Sequence, residues 1–382
     1  MKTVRDACKL QPNALSIKLS DQIEQLDELI HAEGDGTAFF EKTFVTQGMQ
    51  DLVTEGVARL AGVSTQAIFH LKQAMGGGKT HLLVGFGLLV KHQALRKKYC
   101  GGDANSQMFG TARVAAFNGR NSPPHFFWGE IAQQLGRADV FQEFWSSGPK
   151  APDEKAWLKL FEGNDPILIL LDEMPPYFED LATRPVGAGT VADIATRAFA
   201  NLLTAAGKKA NVCVVISDLF AAYQSGGALI NRALDNARQE LGRAERHITP
   251  VDLATNEIYD ILRKRLFTQL PDSAEIDDIA DAYGKKLEEA SKSKVANRGA
   301  EAIADEIAAT YPFHPRLKNV IALFQENEQL SRPAASLNSS RACCAPSGIA
   351  RPTTFSSSAR STSTCPSPRC ATSSPKFPAC AT

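Results

Sequence analysis

The sequence predicts an α/β fold in which a parallel sheet is flanked by helices. The main indication is three predominantly apolar runs, at 67–71, 166–171 and 212–216, each of a length that suits one strand. Apolar runs of this kind are typical of strands buried on both faces of a parallel sheet. Ligands of such sheets bind beyond the carboxyl ends of the strands, so the residues that follow each run are the first candidates for a functional site.

The first run opens a stretch that is predicted to form a strand, a glycine-rich turn and an apolar helix ending near Val90. Successive glycines let backbone N–H groups turn toward an anion, and the positive end of the helix dipole lies at the same place. In such a loop, the lysine reaches the β- and γ-phosphates and the next hydroxyl holds Mg²⁺. The predicted nucleotide-binding residues are Gly76, Gly77, Gly78, Lys79, Thr80 and His81.

The phosphate-loop pattern is incomplete in one position. It requires a glycine, four residues, and then Gly-Lys-Ser or Gly-Lys-Thr, and Gln73 stands where the first glycine is expected. The alternative interpretation of this stretch alone is a glycine turn in front of a core helix.

The second run ends in two acids, Asp172 and Glu173. At the end of a buried parallel strand, Asp172 is expected to hold the Mg²⁺ together with Thr80, and Glu173 is expected to orient and deprotonate the attacking water. The third run ends in Ser217-Asp218. We expect Ser217 to lie beside the γ-phosphate and the water, with Asp218 as the alternative. Lys79, Glu173 and Ser217 are therefore the predicted catalytic residues.

The rest of the chain divides into predicted segments around this site. An N-terminal helical segment covers 1–45, the α/β nucleotide-binding domain covers 46–250, a truncated helical lid covers 251–330, and a tail covers 331–382. Pro175-Pro176 is predicted to force a loop. The basic run that contains Arg96 is predicted to be a solvated helix end. The three tryptophans, Trp128, Trp145 and Trp157, are predicted to be core anchors rather than a base-stacking platform.

Composition argues against several classes of protein. The chain has 42 basic and 42 acidic side chains, but the last 52 residues contain six of the basic ones and no acid. Residues 1–330 therefore carry a net charge of −6, which gives no direct signal for nucleic acid. No apolar run is long enough to cross a bilayer and no signal peptide precedes the charged N-terminus, so we expect a cytoplasmic protein without a membrane partner.

Together these motifs resemble the AAA+ group of P-loop ATPases over residues 40–330. The resemblance rests on Met75–His81, Leu171–Phe178 and Tyr311–Pro315. More narrowly, they resemble a family of large prokaryotic predicted ATPases encoded beside DNA methyltransferases in restriction or phage-defence clusters. The resemblance implies ATP and Mg²⁺ as ligands, ATP hydrolysis, and a DNA methyltransferase or other defence proteins as partners.

A homo-oligomer is a further expectation, because an arginine of one subunit could reach the nucleotide of the next. For each candidate, however, a paired surface charge is the favoured interpretation. The candidates are Arg232, Arg238, Arg243 and Arg246. Arg316, in the predicted lid, is a further arginine that could face a nucleotide.

The tail changes character at Ser331, where helical periodicity stops, acids disappear and serine becomes frequent. A native disordered linker is one interpretation. A reading-frame change fits better, because one choice of synonymous codons, read two bases later, encodes an amphipathic helix with acids. The chain would then be the N-terminal piece of a longer ATPase, and the gene sequence at codon 331 tests this.

Two other functions remain open on the same loop. One is a small-molecule phosphotransferase, although adjacent Asp172 and Glu173 favour water activation. The other is a nucleotide-gated interaction module without efficient hydrolysis, which Gln73 makes conceivable.

Overall fold

The structure is a computed structural model. It describes residues 4–326, except 13, 15–25, 27–33, 35, 74–76, 101–104, 106–107, 218–223, 243 and 293–299. The predicted tail and most of the predicted N-terminal helix at 19–30 lie outside the described residues.

The described part of the chain forms strands at the following positions: β1 (Lys9–Leu10), β2 (Ile68–Leu71), β3 (Arg113–Asn118), β4 (Ile167–Asp172), β5 (Pro185–Val186), β6 (Gly189–Thr190), β7 (Val212–Ser217), β8 (Arg246–Ile248) and β9 (Phe267–Gln269). The helices are α1 (Val4–Ala7), α2 (Thr37–Lys42), α3 (Gln47–Leu60), α4 (Lys79–Lys91), α5 (Gln93–Tyr99), α6 (Phe126–Gln134), α7 (Ala138–Phe141), α8 (Glu154–Leu160), α9 (Met174–Ala182), α10 (Val191–Lys208), α11 (Gln224–Leu241), α12 (Glu257–Leu266), α13 (Ser273–Lys292), α14 (Ala300–Thr310) and α15 (Leu317–Glu326).

Five of these strands form one parallel sheet in the order β3-β4-β7-β2-β8. The three apolar runs supply β2, β4 and β7, and every residue of these strands is buried. Alternate residues of β4 face opposite sides. Ile167, Ile169 and Leu171 join the cluster formed with α6 and α8 to α11, whereas Leu168 and Leu170 join the cluster formed with α3, α4 and α5. The predicted parallel sheet flanked by helices is confirmed.

The tryptophans lie where the core interpretation places them. Trp128 and Trp157 are fully buried in the larger cluster, and Trp145 packs against it. The indole N–H of Trp128 donates to the carbonyl of Phe144 (3.3 Å), and that of Trp157 donates to the carbonyl of Ala198 (3.2 Å). A buried indole needs such a partner, so these rings anchor helices and offer no face to a base.

Two local predictions were wrong. Pro175 and Pro176 do not form a loop but occupy the first turn of α9, where a proline is tolerated because the first amides of a helix have no intrahelical acceptor. Arg96 is fully buried rather than solvated. Its guanidinium donates to the carbonyls of Leu89 (3.1 Å) and Phe109 (2.7 Å), among others, and so satisfies carbonyls at the end of α4.

A third cluster lies after the parallel sheet. Residues of α12 and the 311–321 region pack with Cys8 and Ala14 from the start of the chain. β1 pairs antiparallel with β9, and the Gln11 amide donates to the Leu266 carbonyl (2.8 Å). The first described residues therefore contact the helices of the predicted lid. The last of these helices begins at Leu317, two residues after the predicted start at Pro315.

Candidate nucleotide site

The candidate site lies at the edge of the sheet where the parallel strands end. β4 ends at Asp172, β7 ends at Ser217, and β2 leads directly into the glycine-rich loop. Leu71 is in register with Ser217, and Leu171 with Ile216. Because β7 lies between β2 and β4, Ser217 stands between the loop and the acids.

The loop turns sharply into α4 at Gly78. This residue is the N-cap of α4 and has φ 82° and ψ 15°, a left-handed conformation that favours glycine. Lys79, the first residue of α4, is buried, and its ammonium donates to the carbonyl of Gln73 at 2.6 Å. Gly77 lies in the described part of the loop, whereas Gly76 lies outside the described residues.

Thr80 and Asp172 are in direct contact across the site. The Thr80 hydroxyl donates to Oδ2 of Asp172 at 2.7 Å, and the Ser217 hydroxyl donates to Oδ1. Asp172 is only 1% exposed. Burial raises the pKa of Asp172, and the two hydroxyl hydrogen bonds oppose that shift. The structure therefore brings together three of the predicted site residues around one buried carboxylate.

These oxygens form a donor set that fits Mg²⁺. Mg²⁺ prefers oxygen ligands at about 2.1 Å in an octahedron, so neighbouring ligands lie about 3 Å apart. The 2.7 Å between Thr80 Oγ1 and Asp172 Oδ2 is close to that separation. The predicted assignment of Thr80 and Asp172 to a metal is thus compatible with the geometry.

Glu173 follows Asp172 and has an unusual backbone. It is the N-cap of α9, with φ 50° and ψ 42°, a region that few residues other than glycine adopt. Its side chain is 20% exposed and is paired with Arg120, whose Nε donates to Oε2 and whose Nη2 donates to Oε1 at 3.1 Å. Arg120 is therefore a site residue that the sequence reasoning missed.

The signal for Arg120 was its place on the neighbouring strand. Arg120 lies two residues after β3, and Asn118 at the end of β3 is in register with Asp172. The Asn118 side chain accepts a hydrogen bond from the Arg120 amide at 2.9 Å. Once β3 is known to pair with β4, the residue after its end is expected beside the acids, but sequence alone did not give that pairing.

Gln73 has a structural role that explains the missing glycine. Its side-chain amide donates to the Val251 carbonyl at 2.6 Å and accepts from the Val251 amide at 3.0 Å. This pair of hydrogen bonds connects the glycine-rich loop to the segment between β8 and α12. Glycine at this position could not make either bond.

His81 contacts residues from other helices. Its ring stacks on Phe39 (4.4 Å between centroids), and Nε2 lies 3.0 Å from the Thr43 hydroxyl. Nδ1 lies 3.5 Å from the Arg265 guanidinium of α12. The described contacts of His81 thus link α4 to α2 and α12, and its part in nucleotide binding stays a prediction.

Three of the four arginines considered for a neighbouring subunit pair with acids of this chain. Arg232 lies 3.5 Å from Asp193, Arg238 lies 3.0 Å from Glu245, and Arg246 lies 3.1 Å from Glu55. Arg243 and the alternative polar residue Asp218 lie outside the described residues. The pairing agrees with the interpretation of these arginines as surface charges.

A cavity of about 480 Å³ opens beside Arg120. It is lined by Phe117, Arg120, Asn121, Ser122, Pro123 and Glu130.

None of the helices in the described part of the chain combines the length and the hydropathy that a bilayer crossing requires.

The chain was compared with protein families, with curated protein sequences and with solved structures. A comparison with curated protein sequences gave no match. Among solved structures, the chain is similar to the Aeropyrum pernix ORC2 protein, solved as ADPNP-ADP complexes, with 16% sequence identity and a TM-score of 0.36. That match covers 76% of this chain and 66% of the ORC2 chain, just under two thirds of its length. Residues 16–101 match the DUF499 N-terminal domain, and this segment contains Lys79 and Thr80 but not Asp172, Glu173 or Ser217.

Proposed function

We propose that this protein binds ATP with Mg²⁺ and hydrolyses it, as an AAA+-like motor or switch. The observation that carries the proposal is the contact between the Thr80 hydroxyl and Asp172, 2.7 Å across the end of the sheet. It joins the glycine-rich loop to the acidic strand end. It supports a site in which hydrogen-bond donors to the phosphates, metal ligands and a carboxylate base lie at one edge of the sheet.

In this proposal, Lys79 and the first turn of α4 bind the phosphates. An ammonium group has three N–H donors, so Lys79 can keep its hydrogen bond to Gln73 while donating to phosphate oxygens. The first amides of α4 add partial positive charge at the same end. Gln73 keeps the loop in place through Val251.

Thr80 and Asp172 would hold Mg²⁺, with Ser217 orienting Asp172 through its hydroxyl. When bound, the ion neutralises charge on the β- and γ-phosphate oxygens. Burial disfavours the ionised form of Asp172, and a cation at this position would offset that cost. Ser217 thereby has a positioning role in addition to its predicted place beside the γ-phosphate.

Glu173 would act as the general base for the attacking water. A positioned base contributes about 10²–10⁴ in rate. Both carboxylate oxygens of Glu173 accept hydrogen bonds from Arg120, so the guanidinium lies where an attacking water would bind the carboxylate. In this proposal, the attacking water competes with Arg120 for the acceptor sites of the Glu173 carboxylate.

The proposal is tested by ATP turnover without an added acceptor. We expect the wild-type chain to release phosphate, and Glu173→Gln to lower turnover by about 10²-fold or more while still binding ATP. Glu162→Gln, a change at a 66% exposed acid, is the matched control and should leave turnover unchanged. Absence of turnover in the wild type, or full turnover in Glu173→Gln, would contradict the assignment.

A small-molecule phosphotransferase is the second candidate, favoured by the cavity beside Arg120, which could receive an acceptor. Such an enzyme would consume ATP only when the acceptor is present. A nucleotide-gated module, the third candidate, would bind ATP and show no turnover under either condition.

The proposal also covers the biological system, the partner protein and the oligomeric state. We propose that the chain acts in a DNA-modification or phage-defence system, with a DNA methyltransferase or other defence protein as partner, on the basis of the sequence resemblance. A homo-oligomeric assembly is proposed because an arginine of one subunit could reach the nucleotide of the next. Co-purification of the chain with the product of a neighbouring methyltransferase gene tests the partner, and the mass of the ATP-bound protein in solution tests the assembly.

A further inference from the structure

We propose that His70, Glu245 and His247 form a binding site for a divalent transition metal of the zinc class. The site lies at the β8 edge of the sheet and shares no residue with the candidate nucleotide site. It does not depend on the proposed ATPase function.

The sheet brings the three side chains together. β2 and β8 are adjacent parallel strands in which His70 and His247 are in register, so both side chains face the same side of the sheet. Glu245 directly precedes β8. Two residues separated by more than 170 positions in the chain are thus placed side by side by strand pairing.

The ligand atoms already lie close to one another. One ring nitrogen of each histidine and one carboxylate oxygen of Glu245 all lie within 4.8 Å of each other. His247 Nε2 is 3.0 Å from Glu245 Oε1, and the two imidazole rings meet edge to face with centroids 5.7 Å apart. Tetrahedral zinc with ligands at about 2.0–2.2 Å separates them by about 3.3–3.6 Å. The half-exposed His247 ring can move to close the remaining gap.

The donor set selects the type of metal. Two imidazoles and one carboxylate suit Zn²⁺, Co²⁺ or Ni²⁺, whereas Mg²⁺ and Ca²⁺ prefer oxygen ligands only. Three protein ligands are also the number found in zinc sites that keep a fourth position for water. The site is therefore chemically distinct from the oxygen donors of Thr80 and Asp172.

The surroundings hold the ligands in place. His70 is fully buried, and the side chain of Glu245 is only 5% exposed. Arg238 of α11 donates to both oxygens of Glu245, at 3.0 and 3.2 Å. Second-shell partners of this kind orient a carboxylate ligand, although the guanidinium charge also opposes binding of a cation and restricts the site to strongly bound metals.

A metal at this position would cross-link the edge strand β8 to its neighbour β2. β8 has three residues and pairs only with β2 within the described sheet, and β2 leads into the phosphate loop. Because the ligands come from both strands, metal binding should favour the folded state and raise the melting temperature.

Zinc titration of the full chain tests the proposal. After chelator treatment and desalting, the protein is titrated with ZnCl₂ in competition with a chromophoric chelator. We expect one zinc ion bound per chain, and at least about 10–100-fold weaker binding in His247→Ala and in Glu245→Gln. His125→Ala is the matched control, since it breaks a His–Glu pair of 2.7 Å elsewhere in the fold and should leave the zinc affinity unchanged.

Cobalt absorption separates this site from the cysteines. The tail contains five cysteines, Cys343, Cys344, Cys365, Cys370 and Cys380, which could bind zinc through thiolates. We expect Co²⁺ to give visible bands without thiolate charge-transfer absorption, and the bands to be lost in His247→Ala. Unchanged metal binding in His247→Ala, a thiolate spectrum, or no metal binding by the wild type would overturn the proposal and leave the cluster as a hydrogen-bonded ion-pair network.

Discussion

Arg120 donates to both carboxylate oxygens of Glu173, the proposed catalytic base. We predict that Arg120→Ala raises basal ATP turnover several-fold, because the carboxylate loses the cation that occupies both of its oxygens. The melting temperature should change little, since Arg120 is 57% exposed and exposed ion pairs contribute only about 0–1 kcal/mol. Phosphate release and thermal unfolding measure the two effects.

Arg184→Ala is the control for this prediction. Arg184 is an exposed arginine that pairs with Asp180 in an i,i+4 arrangement, and its loss should affect neither property. Lower turnover in Arg120→Ala would show instead that the arginine assists the reaction.

The ionisation of the buried Asp172 makes the stability of the folded protein depend on pH. Because burial raises its pKa in the folded protein, the stabilising contribution of the protonated form is present at low pH and is lost as pH rises through the folded-state pKa. We predict that Asp172→Asn raises the melting temperature of the nucleotide-free protein, with a larger gain at pH 8 than at pH 4, which is close to the ordinary pKa of 3.8. Thermal unfolding at the two pH values tests this, and a gain that shrinks with pH would contradict the sign.

At the scale of elements, the start of α3 packs against the segment that follows β8. A Cβ at Gly48 would lie 2.0 Å from the Thr249 carbonyl oxygen. Nearby, the Thr46 hydroxyl donates to the Pro250 carbonyl at 2.7 Å, and the Gln47 amide donates to Glu257 at 2.6 Å. This contact fixes α3 against the same segment that Gln73 holds through Val251.

We predict that Gly48→Ala destabilises the protein by about 1–3 kcal/mol, the range for overpacking. Helix propensity alone predicts the opposite, since alanine is favoured over glycine in a helix by about 1 kcal/mol. The free energy of unfolding, measured with denaturant, distinguishes the loss expected from overpacking from the gain expected from helix propensity. Gly110→Ala, where a Cβ would meet nothing within 4 Å, should be nearly neutral, and a stabilised Gly48→Ala would contradict the packing.

The sequence predicted the elements whose signal is local. β2, β4 and β7 are buried on both faces, and that burial shows directly in their predominantly apolar sequences, with polar residues at His70 and at the strand ends Asp172 and Ser217. The proximity of Thr80 and Asp172 could be predicted because the carboxyl ends of parallel strands lie at the same edge of a sheet. Pro175-Pro176 was misinterpreted because the same residues suit a loop or the first turn of a helix.

The missed features depend on partners that are distant in the chain. In the sequence, Arg96 is one of several basic residues at a helix end, which suggests a solvated charge. Its burial depends on hydrogen bonds to carbonyls at the end of α4 and at Phe109, which no local pattern shows. Arg120 becomes a site residue only when β3 pairs with β4. The cluster of His70, Glu245 and His247 requires the pairing of β2 with β8, and no local pattern encodes it.

At the scale of the whole molecule, several segments converge on the loop around Lys79. Gln73 ties the loop to Val251, His81 connects α4 to α2 and α12, and the first residues of the chain pack against α12 through Cys8 and Ala14. These contacts connect the loop to the helices that follow the sheet. They support the proposal of a motor or switch, in which nucleotide binding at the loop would shift those helices.

Calorimetric titration with Mg·ATP tests the central assignment most directly. We predict that the wild-type chain binds Mg·ATP and that Lys79→Ala weakens binding by about 100-fold, or about 3 kcal/mol, the upper range for a hydrogen bond to a charged group. Lys72→Ala, at an exposed lysine that directly follows β2, should bind like the wild type. Equal affinities of wild type and Lys79→Ala would contradict the placement of the triphosphate between Lys79-Thr80 and Asp172-Glu173.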